Sequence, residues 1–210
     1  MILEAHQIEI TRGDRRLFSD LSFALTPGML VLVTGSNGSG KTSLLRALCG
    51  LLLPSAGTVR WQGENIRDLR EEYWRHLVYI GHTNALKDEL TATENLAVLC
   101  ALSGVHTSIA QRRQALAHFG LTGRERLPAK VLSQGQRRRT ALARLSLCGT
   151  LPLWILDEPF AALDSAAISH IQSVVGGHLA QGGMVVMTTH QEVPIAAPVL
   201  VELNLDQGSR

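Results

Sequence analysis

The sequence predicts an α/β protein with a parallel-sheet core, an N-terminal antiparallel β subdomain and an inserted α-helical subdomain. Three observations predict it. Apolar strand-like runs alternate with helical patterns, as they do when a parallel sheet carries helices on its faces. A glycine-rich stretch, "GSNGSGKT" at residues 35–42, separates one such run from a helix-like segment. The periodicity turns helical from about residue 89 to 149, and strands then return. The 210 residues read as a single domain, with 1–88 and 150–210 forming core and β subdomain and 89–149 the helical subdomain.

The elements follow in order. "LEAHQIEI" and "DLSFAL" alternate apolar with polar, which suits an antiparallel sheet with one wet face. "MLVLVTG" is continuously apolar, which suits a strand buried on both faces. "GTVRW" and "HLVYIG" predict two further strands. Thr91 with Glu94 reads as a capping box opening a helix through "ENLAVLCALSG". Ser108 with Gln111 opens a second helix, closed at Gly120. Ser133 with Gln136 opens a third, through "RRRTALARLSLCG", closed near Gly149. "LPLWILDEP" and "GGMVVMTTH" are strands with a helix between them, and "PVLVELNL" is a last strand.

Composition narrows the class. Hydrophobic residues reach 45% but aromatics only 4%, so the core is expected to be aliphatic. A formal charge of +2 is a poor footprint for a general nucleic-acid binder. Apolar runs are interrupted well before the ~18–20 residues a membrane span needs. "MILEAHQIEI" lacks the basic and apolar regions of a secretory signal. A soluble protein made in the cytoplasm is expected, with any membrane role through partners. Cys49, Cys100 and Cys148 lie far apart with no CxxC pair, which predicts reduced, buried thiols.

Two motifs carry chemistry. "GSNGSGKT" fits G-x-x-x-x-G-K-[ST] between a buried strand and a helix. Gly35, Gly38 and Gly40, with Ser36, Asn37 and Ser39 between them, let consecutive backbone N–H groups curl round a triphosphate. The helix start adds favourable potential for anions. Lys41 is expected to reach the β- and γ-phosphates, Thr42 to ligate Mg²⁺, and Ser43 to bind nucleotide beside them. "LWILDEP" ends an apolar strand in two acids. Asp157 is expected to hold Mg²⁺ and Glu158 to polarise an attacking water. In a parallel sheet His190, at the end of "TTH", faces the same crevice and is placed to contact the γ-phosphate. "LSQGQ", residues 132–136, sets Ser133, Gly135 and Gln136 at a helix start, a second place for an anion. Ser133 and Gln136 also fit a capping box, and both readings stand. Arg137, Arg138 and Arg139 radiate in different directions and are expected to be solvated or dimer-rim charge.

The order P-loop, "LSQGQ", "LWILDEP", "AALD", "TTH" resembles the nucleotide-binding subunits of ABC (ATP-binding cassette) transporters. "LSQGQ" is similar to their LSGGQ signature, with Gln134 in place of a glycine. The resemblance implies a P-loop NTPase fold with a RecA-like parallel-sheet core. It also implies a head-to-tail homodimer in the ATP-bound state, in which each signature holds the γ-phosphate on the other subunit's P-loop. Asp164 of "AALD" then resembles the residue that communicates across the dimer. ATP and Mg²⁺ are the implied cofactors.

Two departures narrow the resemblance. The family's usual Gln after the strand preceding the helical subdomain is here His82, which leaves the metal contact open. An aromatic that stacks on adenine is absent before Phe18, and Arg12 or Arg16 can stack a guanidinium plane instead. "LFSDLSFAL", "GSNGSGKTSLLRALCGL", "WQG", "YIGHTNALKDELTATENL", "LARL", "LWILDEPFAALD" and "TTHQ" together resemble the ATP-binding subunits of the bacterial cytochrome c maturation (haem exporter) system. That resemblance implies integral membrane subunits as partners, indirectly a periplasmic haem chaperone, and a place on the cytoplasmic face of the inner membrane. The His82 loop, about residues 81–90, would pass motion to those subunits. Direct haem binding is not expected, since no CxxCH is present. A generic ABC transporter subunit for another cargo shares these catalytic residues. A non-transport ABC ATPase would carry a second cassette, coiled coil or basic extension, and the sequence shows none.

Overall fold

Period-two alternation builds two sheets in the computed structural model, which describes residues 1–190 and 194–208. Strands β1 (Leu3–Arg12), β2 (Arg15–Leu25), β4 (Ala56–Trp61) and β5 (Glu64–Asn65) form an antiparallel sheet in the order β2-β1-β4-β5. Strands β3 (Met29–Thr34), β6 (Leu77–Ile80), β7 (Leu153–Asp157), β8 (Met184–Thr188) and β9 (Val199–Asn204) form a parallel sheet in the order β6-β7-β8-β3-β9. Helix α1 (Lys41–Leu48) follows β3, short helices α2 (Ile66–Leu69) and α3 (Glu71–Trp74) follow β5, and α7 (Ser165–Ala180) joins β7 to β8. The pieces β5, α2 and α3 were not legible in the sequence. Each is four residues or shorter, too brief for any periodicity to show.

The parallel sheet is a wall between two apolar layers. Val31, Val33, Leu153, Ile155, Met184 and Val186 pack with α1 and the antiparallel sheet. Their neighbours Leu30, Trp154, Leu156, Val185 and Met187 point the other way, into the layer containing α7 and the helical segment. Every residue of β7 and of β8 is buried, which is why those runs read as unbroken apolar.

Helices α4 (Ala92–Leu102), α5 (Ile109–His118) and α6 (Gln134–Leu147) pack on one another. Each opens on the capping box that its sequence predicts, at Thr91, Ser108 and Ser133. All three cysteines are buried and free. Cys100 and Cys148, 48 residues apart in sequence, come within 4.0 Å at Sγ where α4 meets the end of α6.

One buried histidine is expected to make the fold sensitive to acid. His178 of α7 stacks on Trp154 of β7, with centroids 3.7 Å apart and planes 2° from parallel. A Cβ on Gly183 would stand 2.2 Å from His178 Nε2, so this approach requires glycine there. Burial pushes His178 down from its ordinary 6.5 to about 4, weakly opposed by backbone hydrogen bonding at Pro152 and Gly149. The unfolded chain therefore binds the proton more tightly. The stability His178 contributes is complete above about pH 6.5 and is lost as pH falls toward 4. The shift corresponds to roughly 3 kcal/mol at most. His178→Phe, which keeps an aromatic ring and removes the titration, is expected to flatten the fall in urea-unfolding stability between pH 6.5 and 4. An unchanged slope would locate the acid sensitivity elsewhere.

Candidate nucleotide site

The phosphate loop follows from the end of β3. Its residues 35–40 turn from strand to helix, and Gly40 caps α1 with φ 105°. A Cβ there would also meet Phe18 at 2.9 Å, so no other residue fits without displacement. Lys41, only 9% exposed, turns back into the loop. Its Nζ donates to Gly35 O at 2.8 Å and Ser36 O at 3.1 Å. Asp206, just beyond β9, braces the loop from outside: its carboxylate accepts from Ser36 N (2.8 Å) and Ser36 Oγ (2.9 Å).

Strand register sets the acids beside this loop. In the parallel pairing Asp157 of β7 lies opposite Thr188 of β8. Thr188 Oγ1 donates to Asp157 Oδ1 at 2.7 Å and accepts from Glu158 N at 2.9 Å. Thr42 Oγ1 donates to Asp157 Oδ2 at 2.8 Å. Glu158 is left-handed, with φ 49°, an uncommon and strained conformation for a residue with a side chain. Its buried Oε1 has no hydrogen-bond donor among the described residues, and His190 Nε2 stands off at 3.4 Å. That leaves the carboxylate free to accept from a water. Behind the acids, burial and the Asp157 charge push the Cys49 thiol up, so it stays protonated.

These groups line one crevice of 330 Å³, a small-molecule size. It gathers Asn37, Gly38, Gly40, Lys41, Thr42, Ser43, His82, Asp157, Glu158 and His190. Arg12 and Leu17 complete it. Of the two stacking candidates Arg12 is thus the one at the crevice, while Arg16 turns toward Glu9 at 3.9 Å. Gly35, Ser36 and Ser39 belong to the loop without lining the crevice, and Ser39 is buried.

Ser133, Gly135, Gln136 and Asp164 do not line it. Ser133 is exposed, and its hydroxyl accepts from Gln136 N at 3.3 Å while Gln136 Oε1 accepts from Ser133 N at 3.0 Å. Asp164 caps α7 through Ala167 N at 2.9 Å and takes Arg139 Nη2 at 2.6 Å. Gln191 of "TTHQ" lies outside the described residues.

The expectation of solvated or dimer-rim charge fails at Arg138, while Arg137 and Arg139 stay partly exposed. Arg138 is 4% exposed and donates to backbone carbonyls of Gly81, Asp157 and Glu158. Burial lowers its pKa, partly offset by the Asp157 and Glu158 charges. Successive helical positions do diverge, by about 100° each, but α6 is covered on more than one side. Thr188, Arg138, Asp206 and the crevice-lining Leu17 are the site residues that the sequence reading missed. Only Thr188 had a signal, its place at a strand end beside the acid strand.

The class of protein that sets a phosphate loop, an Asp-Glu strand end and a strand-end histidine on this sheet is the ATP-binding cassette ATPase. The ABC transporter family model matches residues 18–161. The "cytochrome c biogenesis ATP-binding export protein CcmA" of Nitrosospira multiformis is 54% identical over 203 residues, 97% of this chain and 98% of the relative. Its namesake from Nitrosomonas europaea is 53% identical over 204 residues, 97% of this chain and 95% of the relative. The chain belongs to the ABC transporter family, and within it to the group of these CcmA proteins. The fold is also that of solved cassettes. One is an ATP-binding subunit of an ABC transporter (TM-score 0.80, 28% identity, 90% of this chain and 80% of that one). Another is a dimeric cassette in a post-hydrolysis state bound to ADP and Pi (TM-score 0.82, 22% identity, 96% and 94%).

Thr188 gives a direct test of the site. Thr188→Val leaves Asp157 Oδ1 and Glu158 N–H without their partner. It is expected to cost about 1–3 kcal/mol of stability and to slow ATP hydrolysis roughly 10- to 100-fold. Thr188→Ser keeps the hydroxyl and should restore most of the rate. A wild-type rate in Thr188→Val would mean that the hydroxyl does not matter, and an equal loss in Thr188→Ser would mean that the methyl is needed as well.

Proposed function

We propose that this chain is the ATP-hydrolysing subunit of an ABC transporter complex for cytochrome c biogenesis, acting in haem export. The observation that carries the reading is a separation: the phosphate loop and the acids share one crevice, whereas the signature residues Ser133, Gly135 and Gln136 lie outside it. A signature that serves nucleotide must then serve that of another copy, which supports a head-to-tail homodimer closed around two ATP molecules. Ser133 would offer its hydroxyl and the exposed helix start to the partner's γ-phosphate.

Within each site the chain's residues divide the work. Lys41 carries positive charge to the β- and γ-phosphates, and the loop N–H groups wrap them. Glu158 accepts a hydrogen bond from the attacking water and aligns it. His190, beside Glu158, contacts the γ-phosphate. Arg12 stacks on the adenine. Thr42 hydroxyl and Asp157 carboxylate are hard oxygen donors meeting in the crevice, a fit for Mg²⁺ alongside nucleotide phosphates. Held there, Mg²⁺ would supply charge neutralisation to the phosphates. His82, in the crevice and on the loop leading to the helical segment, senses the nucleotide from the place where the family carries Gln.

The partners are integral membrane subunits, with a periplasmic haem chaperone acted on through them. None of the described helices is long and apolar enough to cross a membrane. Likeness to the CcmA export proteins supports a peripheral place on the cytoplasmic face of the inner membrane. Residues 89–149 would move as a helical subdomain against the core of 1–88 and 150–210. An apolar cleft of 260 Å³, lined by Leu51, Trp74, Tyr79 and Leu102, offers a seat for a segment of a membrane subunit. Leu51 and Leu102 are 50% and 78% exposed.

The first test is haem-stained c-type cytochrome in a strain lacking the gene. Wild type should restore the covalent cytochromes and Lys41→Ala should not. Normal cytochromes without the gene would assign this ATPase another cargo. A second test uses Glu158→Gln, expected to bind ATP, to lose on the order of 10²–10³ or more in rate, and to accumulate as a dimer by light scattering. Only monomer under ATP would count against the head-to-tail arrangement.

A further inference from the structure

Three consecutive arginines on α6 hold three separate segments of the chain. Arg137 pairs with Asp88 at 2.7 Å, at the far end of the His82 loop. Arg139 pairs with Asp164 at the start of α7. Arg138, between them, reaches inward. Its Nη1 donates to Gly81 O at 2.9 Å and to Asn84 Oδ1 at 3.2 Å, on either side of His82. Its Nη2 donates to Asp157 O at 2.8 Å and Glu158 O at 2.7 Å, the two carbonyls that flank the Glu158 Cα.

All four acceptors are neutral oxygens. The guanidinium is therefore used as a planar fork with fixed spacing, a role that a lysine point charge fills poorly. The two carbonyls held by Nη2 bracket the left-handed turn at Glu158, and Thr188 holds the same residue's N–H. The strained backbone of the water-aligning residue is thus fixed from both ends. The other end of this connection is the signature: Ser133 and Arg138 are about one and a half turns apart on a single helix. A shift of the helix start carries Arg138, and with it the His82 loop and the Glu158 backbone.

We propose that Arg138 is the positioning residue that joins the signature helix to Glu158 and to the His82 loop of the same chain. Seating of the signature on a partner's nucleotide then aligns Glu158 for the chain's own nucleotide, and the two sites of a dimer become coupled. This rests on the head-to-tail reading above.

The test is steady-state ATP hydrolysis together with equilibrium binding of a fluorescent ATP analogue, on the full chain in its membrane complex. Arg138→Gln is expected to lower kcat about 10- to 100-fold while KM and analogue affinity stay within roughly threefold of wild type. Arg138→Lys, reaching some of the four acceptors, should fall between. Asn84→Ala, which removes one of the two contacts Arg138 makes to the His82 loop and leaves the Glu158 end intact, should lower kcat severalfold without weakening binding. A folded Arg138→Gln with kcat within about twofold of wild type overturns the proposal. So does a parallel loss of kcat and affinity with Asn84→Ala silent, which is the behaviour of a merely structural arginine. Should Arg138→Gln not fold, unchanged kcat in both Arg138→Lys and Asn84→Ala overturns it equally. Failure of the underlying dimer shows separately, as Glu158→Gln that stays monomeric with ATP. A Glu158→Gln dimer alongside unimpaired Arg138 variants sinks this inference alone.

Discussion

The site depends on how one buried carboxylate is held. Asp157 is 2% exposed, and its two oxygens accept from Thr42 and Thr188, residues 115 and 31 positions away in sequence. A carboxylate taken out of water is costly unless hydrogen bonds replace its hydration. Hydrogen bonds to an ionised acceptor are among the stronger ones available. These two hydroxyls come from α1 and β8, so Asp157 can be satisfied only when the phosphate loop and the middle of the parallel sheet have both assembled. The demand of one charge thereby sets the spacing of the crevice.

Around that centre the chain keeps the Glu158 carboxylate loosely engaged and its backbone tightly held. Glu158 has its N–H on Thr188 and its carbonyl on Arg138, while its buried Oε1 has no hydrogen-bond donor among the described residues. Rigid positioning of a free acceptor is what phosphoryl transfer asks of a protein, because the chemistry is mostly alignment and charge. Lys41 supplies the opposite sign from the facing side, held by carbonyls of its own loop.

The two apolar layers explain how helices far from the phosphate loop bear on it. β7 alternates its side chains between them, Leu153 and Ile155 toward α1, Trp154 and Leu156 toward the helical segment. Displacement on either side presses on the strand that ends in Asp157. The arginines of α6 add polar ties to the same strand end and to the loops at Asp88 and Asp164. Close-packed interiors pass such shifts on with little loss.

Much of this protein was legible in the sequence, because the relevant physics is local. A capping box involves residues three apart, so Thr91, Ser108 and Ser133 announced their helices. A strand buried on both faces must be apolar throughout, so β7 and β8 announced themselves. A phosphate cradle needs glycines at fixed spacing ahead of a lysine, and parallel topology then placed Asp157, Glu158 and His190 at the same edge. Tertiary structure decided the rest. The choice of Arg12 over Arg16, the burial of Arg138, the brace from Asp206 and the hydroxyl bridge of Thr188 each join residues that sequence spacing leaves unrelated. Asp206 reaches Ser36 across 170 positions. Periodicity tells which face of an element is apolar, and only packing tells which distant polar group that element will meet.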